Sequence, residues 1–335
     1  IRADAFIFAA DAVLPIVLMI ALGYFLKRAG LLGREFLDTG NRLTFRVLIP
    51  ALLYYNIYGI KSLKSINMKF VLYGIVMVTA LFFLAIVVVC IFTKDSAKRG
   101  SLIQATIRSN YAIIGLPLAE SLFGAAGAAA AGVMSAFCVP LFNVLSVIAL
   151  TVFNGSSQKG KIDVRKILWG IIKNPLIIAT FLGIMTLGIR ELLVLWQIDF
   201  RISNVRFLYK ALENLKSVCT PFALMVLGGR FEFSAVSRLW REILFGTLMR
   251  TVVVPVMGLS GAFFLHLTVM PELAGEHFAA YIGVFATPVA VASAIMAKEM
   301  NADDELAGQL VVWTSLVSTV TIFLYVTIFR AIGIF

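Results

Sequence analysis

No charged side chain occurs between Ser121 and Gln158. Thirty-eight such residues are more than one buried helix of a soluble domain uses, and they suit a membrane span with its flanks. Long apolar runs and short charged connections alternate along the whole chain. They predict ten spans, over 5–26, 43–60, 70–93, 103–123, 126–153, 167–189, 209–229, 243–265, 277–298 and 306–329. The longest connections, 154–166 and 190–208, are too short for a soluble domain, and the second carries Trp196 and suits the membrane interface. The first apolar run lacks a small-residue cleavage pattern, so it reads as a span and not as a removed signal peptide. The chain starts at Ile1, and a few natural residues are expected before it.

Two of these spans carry residues that lipid-facing helices avoid. The stretch 108–124 holds Asn110, Gly115 and Pro117, and the stretch 285–298 holds Thr287, Pro288 and Ser293. Proline removes a backbone donor and crowds the carbonyl four residues back. In hydrocarbon the freed groups find no water, so such a break survives only inside protein or beside a wet cavity. The pattern predicts half-helices meeting near Gly115–Pro117 and again at Pro288; ordinary proline kinks are the alternative.

The prolines also suggest duplication. Pro50 and Pro221 are 171 residues apart, as are Pro117 and Pro288, while Pro15 and Pro175 are 160 apart. By rank these pairs fall in spans 1 and 6, 2 and 7, and 4 and 9. The expected fold class is therefore an all-α polytopic membrane protein of ten transmembrane helices. It is an inverted 5+5 repeat with broken, crossing helices 4 and 9. Residues 1–153 form the first repeat, 154–166 a short cytoplasmic loop and 167–335 the second repeat. With the N-terminus outside, the inner loops hold 15 Lys and Arg and the outer side holds 8, so both termini are expected outside a cell (cytoplasmic) membrane.

Half-helix N-termini at the two breaks favour an anion. Asn110, Ser109, Gly115, Pro117, Asn143, Thr287, Pro288 and Ser293 are the candidate substrate-binding residues, with a plain helix–helix hydrogen bond the alternative for Asn110. Glu120 and Glu213 are candidate coupling sites. Arg250 reads first as a side chain snorkelling to the interface, and second as a charge that attracts the anion or props the site. Lys210, Glu213 and Lys216 share a helix face as a paired, partly wet entrance.

Composition narrows the class. Hydrophobic residues make up 61% of the chain and charged residues 14%, far below a soluble domain. The net charge of +11 sits in loops, as topology signal and not as a nucleic-acid surface. Cys90, Cys138 and Cys219 lie in apolar stretches, as small core residues. His266 and His277 alone make no metal centre, and no cofactor is expected. No GxxxxGK[ST] loop, HExxH or Ser/His/Asp constellation is present, and no acidic pair lies in mid-span. The expected activity is secondary transport of a small organic anion, with no enzymatic step. A cation-coupled carrier of related fold and an anion-binding membrane sensor are the alternatives.

Asn110-Tyr-Ala-Ile-Ile-Gly115-Leu-Pro117-Leu118, followed by Phe123-Gly124, resembles the fourth-helix N-x-x-x-x-G-x-P-L…Y-G pattern of the auxin efflux carrier family. Pro288 with Lys298-Glu299-Met300-Asn301 resembles that family's ninth helix and its A-K-E-Y-N ending. The resemblance implies organic-acid transport on the inverted 5+5 fold, Asn110 on a substrate carboxylate, Asn143 lining the pocket, and a homodimer. The large central loop of the plant members is absent, which points to a prokaryotic-type member. Glu120 stands where those members have lysine, and Leu53 where a pocket serine is expected.

Overall fold

The structure is a computed structural model. It describes residues 2–59, 67–153, 165, 169, 172–198 and 201–335, and of residues 2–13 the backbone alone. All its regular elements are helical. They are α1 (Arg2–Arg28), α2 (Arg34–Leu43), α3 (Ile49–Tyr58), α4 (Met68–Phe92), α5 (Ser96–Ile107), α6 (Leu116–Val152) and α7 (Pro175–Leu195). They continue with α8 (Arg206–Arg230), α9 (Ser234–Leu248), α10 (Val254–Thr268), α11 (Gly275–Ala286), α12 (Ala292–Glu299) and α13 (Asp304–Ala331). Among the described residues, five helical runs are long and apolar enough to cross a membrane: Met68–Phe92, Tyr111–Val152, Pro175–Leu195, Ser234–Thr268 and Asp304–Ala331. The chain is an all-α polytopic membrane protein.

Side chains at the helix starts follow ordinary capping chemistry. Asn67, Asp95, Asn174 and Asp303 each accept a hydrogen bond from a backbone N–H in the first turn of α4, α5, α7 and α13. Capping extends several elements beyond the expected apolar runs. Helix α5 begins at Ser96, seven residues before the expected start, because Asp95 caps a polar first turn. The 154–166 connection lies outside the described residues except for Arg165. Trp196 closes α7 and is 74% exposed.

Three prolines share one device. Wide π turns at Thr44–Leu48, Tyr111–Gly115 and Met249–Val253 each end two residues before a proline, at Pro50, Pro117 and Pro255. Ile49, Leu116 and Val254 N–H groups reach back five residues, to Thr44, Tyr111 and Met249 carbonyls. The wider turn moves aside the carbonyl that a proline ring would strike in a regular helix. This corrects the break expected at Gly115–Pro117. Pro117 sits at the second residue of α6 and is exposed, and the chain stays helical through it. Further on, α6 changes direction at Gly124, whose φ of 58° and ψ of −136° suit a residue without Cβ. That change falls between the expected fourth and fifth spans.

The true interruption comes earlier, at Arg108–Asn110, between α5 and the π turn. Its counterpart is Thr287–Val291, between α11 and α12, where the expected break at Pro288 is found. Thr287 is extended (φ −72°, ψ 154°), as a residue before proline prefers. Each break follows a half-helix of twelve residues, Ser96–Ile107 and Gly275–Ala286. Twelve residues rise about 18 Å, which carries each break well into a membrane.

Candidate functional site

The two breaks lie against each other as a short antiparallel bridge between Ser109 and Val289. Asn110 N–H donates to the Pro288 carbonyl at 2.8 Å, and Ala290 N–H donates to the Arg108 carbonyl at 3.1 Å. Val289 N–H is held by Thr314 Oγ1 on α13 at 3.0 Å. Ser109 Oγ donates to the Gly283 carbonyl at 2.9 Å and lies 2.8 Å from Thr287 Oγ1. Backbone groups freed by the breaks thus satisfy one another, which is what hydrocarbon surroundings demand.

The carboxyl ends of the half-helices are met by one side chain. Arg250 is fully buried, at 0% exposure, and does not snorkel, which corrects the first reading of it. Its Nε donates to the Thr287 carbonyl at 2.8 Å and its Nη2 to Val284 at 2.9 Å, both at the end of α11. Its Nη1 donates to the Thr106 and Ile107 carbonyls at 3.1 and 3.4 Å, at the end of α5. The π turn at Met249–Val253 carries it. Helix C-termini leave carbonyls unpaired and carry partial negative charge, so a guanidinium fork between two of them suits both.

The opposite ends face a cavity. The start of the π turn, Tyr111–Ile113, and the end of the second break with the first residue of α12, Ala290–Ala292, line a space of about 70 Å³, roughly that of two water molecules. Arg108, Ser109 and Asn110 line it from the break, and Val139, Phe142 and Asn143 from α6. Ile49, Leu52 and Leu53 of α3 and Cys219, Thr220 and Ala223 of α8 close the far side. Among the described residues, no carboxylate lines this cavity.

Its polar groups are donors in excess. Asn110 and Asn143 are 4% and 1% exposed, and the Nδ2 amide of each has no hydrogen-bond partner. Arg108 is 5% exposed; its Nη2 donates to Asn143 Oδ1 at 2.8 Å and its Nη1 meets Met296 Sδ. Arg108 escaped the sequence reading, although an arginine within an apolar span marks function by default. A buried donor without an acceptor costs free energy comparable to a lost hydrogen bond. The arrangement therefore suits a bound acceptor of negative charge.

The other candidates scatter. Gly115 packs against Gly283, and Thr287 Oγ1 donates to the Gly283 carbonyl at 2.7 Å. Neither these residues nor Pro117, Pro288 and Ser293 line the cavity. Ser293 is buried with no partner for its hydroxyl. Glu120 is exposed on α6. Glu213 pairs with Lys210 at 2.8 Å, its side chain 43% exposed, and Lys216 Nζ lies 4.5 Å from the centre of the Tyr55 ring. Among the described residues no group of three His, Cys, Asp or Glu is placed to hold a metal ion.

Comparison with known proteins places this geometry in context. Residues 8–326 match a family described as "Membrane transport protein". An uncharacterized transporter of Methanothermobacter thermautotrophicus is 22% identical over 321 residues, covering 95% of this chain and 97% of the relative. An uncharacterized transporter of Methanocaldococcus jannaschii is 27% identical over 223 residues, covering 65% of this chain and 67% of the relative. Both carry the general role of transporter without a named substrate, and neither makes the chain an auxin carrier. A match across nearly the whole length, on a helical membrane fold with two bridged breaks, leads to one assignment: the chain belongs to the membrane transport protein family.

Proposed function

We propose that the protein is a secondary carrier of a small organic anion, a carboxylate, working by alternating access. The observation that carries this reading is the convergence of Arg108, Asn110 and Asn143 on one cavity, with two amides unpartnered and no carboxylate among the described lining residues. Two helix N-termini at the same place add positive potential. A cation carrier needs buried carboxylates there, so the lining favours the anion.

The proposed architecture is ten spans in an inverted 5+5 repeat, with residues 1–153 and 167–335 as the halves. The antiparallel bridge between the breaks, each after twelve helical residues, supports it. The crossing pair would move against a scaffold of α1, α3, α7 and α8, whose α3 and α8 wall the cavity. A larger polar recess of about 530 Å³ lies beside α12, spanned by Arg230 pairs to Asp38 and Asp304 at 3.0 and 2.6 Å. It supports an aqueous approach from the side that carries Lys298. The basic bias supports a cytoplasmic position for that side, with both termini outside; a homodimer is part of the same proposal.

The test is purified protein in liposomes offered carbon-14-labelled acetate, lactate, malonate, malate and benzoate. Saturable flux of at least one supports the carrier. Saturable binding without flux would make the protein a sensor, and ion flux without carboxylate would make it a cation carrier.

A further inference from the structure

We infer that Arg108 ties movement of the crossover to occupancy, so that the protein exchanges one carboxylate for another far faster than it delivers one to an empty compartment. The inference rests on the carrier reading above. Two buried arginines lie at the crossover, and their surroundings differ in kind. Arg250 is met by four backbone carbonyls at the ends of α5 and α11. Each helix end carries about half a negative charge, so the fold itself offsets this guanidinium whether or not substrate is bound.

Arg108 has no such provision. Its guanidinium meets a thioether sulfur and one amide oxygen, and among the described residues no Asp or Glu shares its cavity. The first turns of the π segment and of α12 border the same space and add positive potential instead of negative. The Asn110 and Asn143 amides hold unused donors beside it. An empty site is therefore a buried cation, and a bound carboxylate turns it into a hydrogen-bonded ion pair.

Passage from one side of the membrane to the other requires both water paths to close around the site. A lone charge sealed from water costs more than a sealed, hydrogen-bonded pair. The loaded crossover then passes readily, and the empty one returns slowly. Carboxylate on the far side removes that slow step by loading the crossover for its return. Neutral amides alone would not produce this difference, because an empty cavity lined by them carries no charge to seal.

The test uses liposomes loaded with whichever labelled carboxylate of the panel moves fastest. Efflux is timed into buffer with and without the same unlabelled compound outside. Wild-type efflux should be at least about tenfold faster with it, the factor that ~1.4 kcal/mol of added barrier gives. Arg108→Gln should bring the two rates together, and Arg108→Lys, which keeps the charge, should preserve the gap. Equal wild-type rates, a gap that survives in Arg108→Gln, or a gap lost in Arg108→Lys overturns the inference while leaving the carrier reading in place. If no member of the panel moves in either condition, the carrier reading itself falls, and the inference with it.

Discussion

Gly115 and Gly283 touch backbone to backbone across the crossover. A Cβ added to Gly115 would lie 2.9 Å from Gly283 Cα, and one added to Gly283 would lie 2.9 Å from Gly115 Cα. The π turn and α11 can pass this closely only without side chains. Gly115→Ala or Gly283→Ala should therefore destabilise the protein by about 1–3 kcal/mol, the usual cost of overpacking. Thermal unfolding in detergent measures it, and unchanged melting of both variants would contradict the contact.

Asn110→Ala removes an unpartnered amide, not an intramolecular side-chain bond. Melting should stay near wild type while carboxylate affinity falls roughly ten- to hundredfold, from the ~1.5–3 kcal/mol of a hydrogen bond to a charged group. Calorimetric or scintillation-proximity binding at matched expression reads this directly. Normal affinity in this variant would remove Asn110 from the site.

Asn143→Ala differs in a measurable way. It deletes the acceptor of Arg108 Nη2 as well as a free donor, so melting and affinity should both fall. The contrast between a pure affinity loss at Asn110 and a mixed loss at Asn143 tests the geometry of the cavity.

Arg250→Met leaves four carbonyls at two helix ends without their donor. The expected loss is about 3–5 kcal/mol, because each buried carbonyl left without a donor costs ~1–3 kcal/mol. Arg250→Lys keeps the charge but not the planar fork, and should recover only part of it. Inserted yield and melting temperature decide; wild-type melting of Arg250→Met would show that the ends are not held this way.

Pro117→Ala restores an N–H two residues after the π turn, which lets that turn tighten to a regular helix. Tightening shifts Gly115 relative to Gly283 without altering the cavity's donors. Insertion should persist and flux should fall at nearly unchanged affinity. Flux at the wild-type rate would mean that the wide turn has no bearing on movement.

Much of the fold was legible because hydrocarbon imposes long apolar runs; the Asn and Asp caps were not read, and Asp95 therefore starts α5 seven residues before the expected run. Pro288 marked one break correctly, since proline forces the preceding Thr287 to extend. Pro117 misplaced the other, since a π turn absorbs proline without breaking the helix. Asn110 and Asn143 were legible as polar residues in apolar surroundings. Their meeting with Arg108 was not, because it depends on how α6 returns after Gly124. Arg250 was visible only as a charge in an apolar span. Its role required tertiary structure, because its partners are backbone carbonyls 34 to 144 residues away. Carbonyls are common to every residue and leave no trace in a sequence, so only the packed helices decide which of them a buried guanidinium meets.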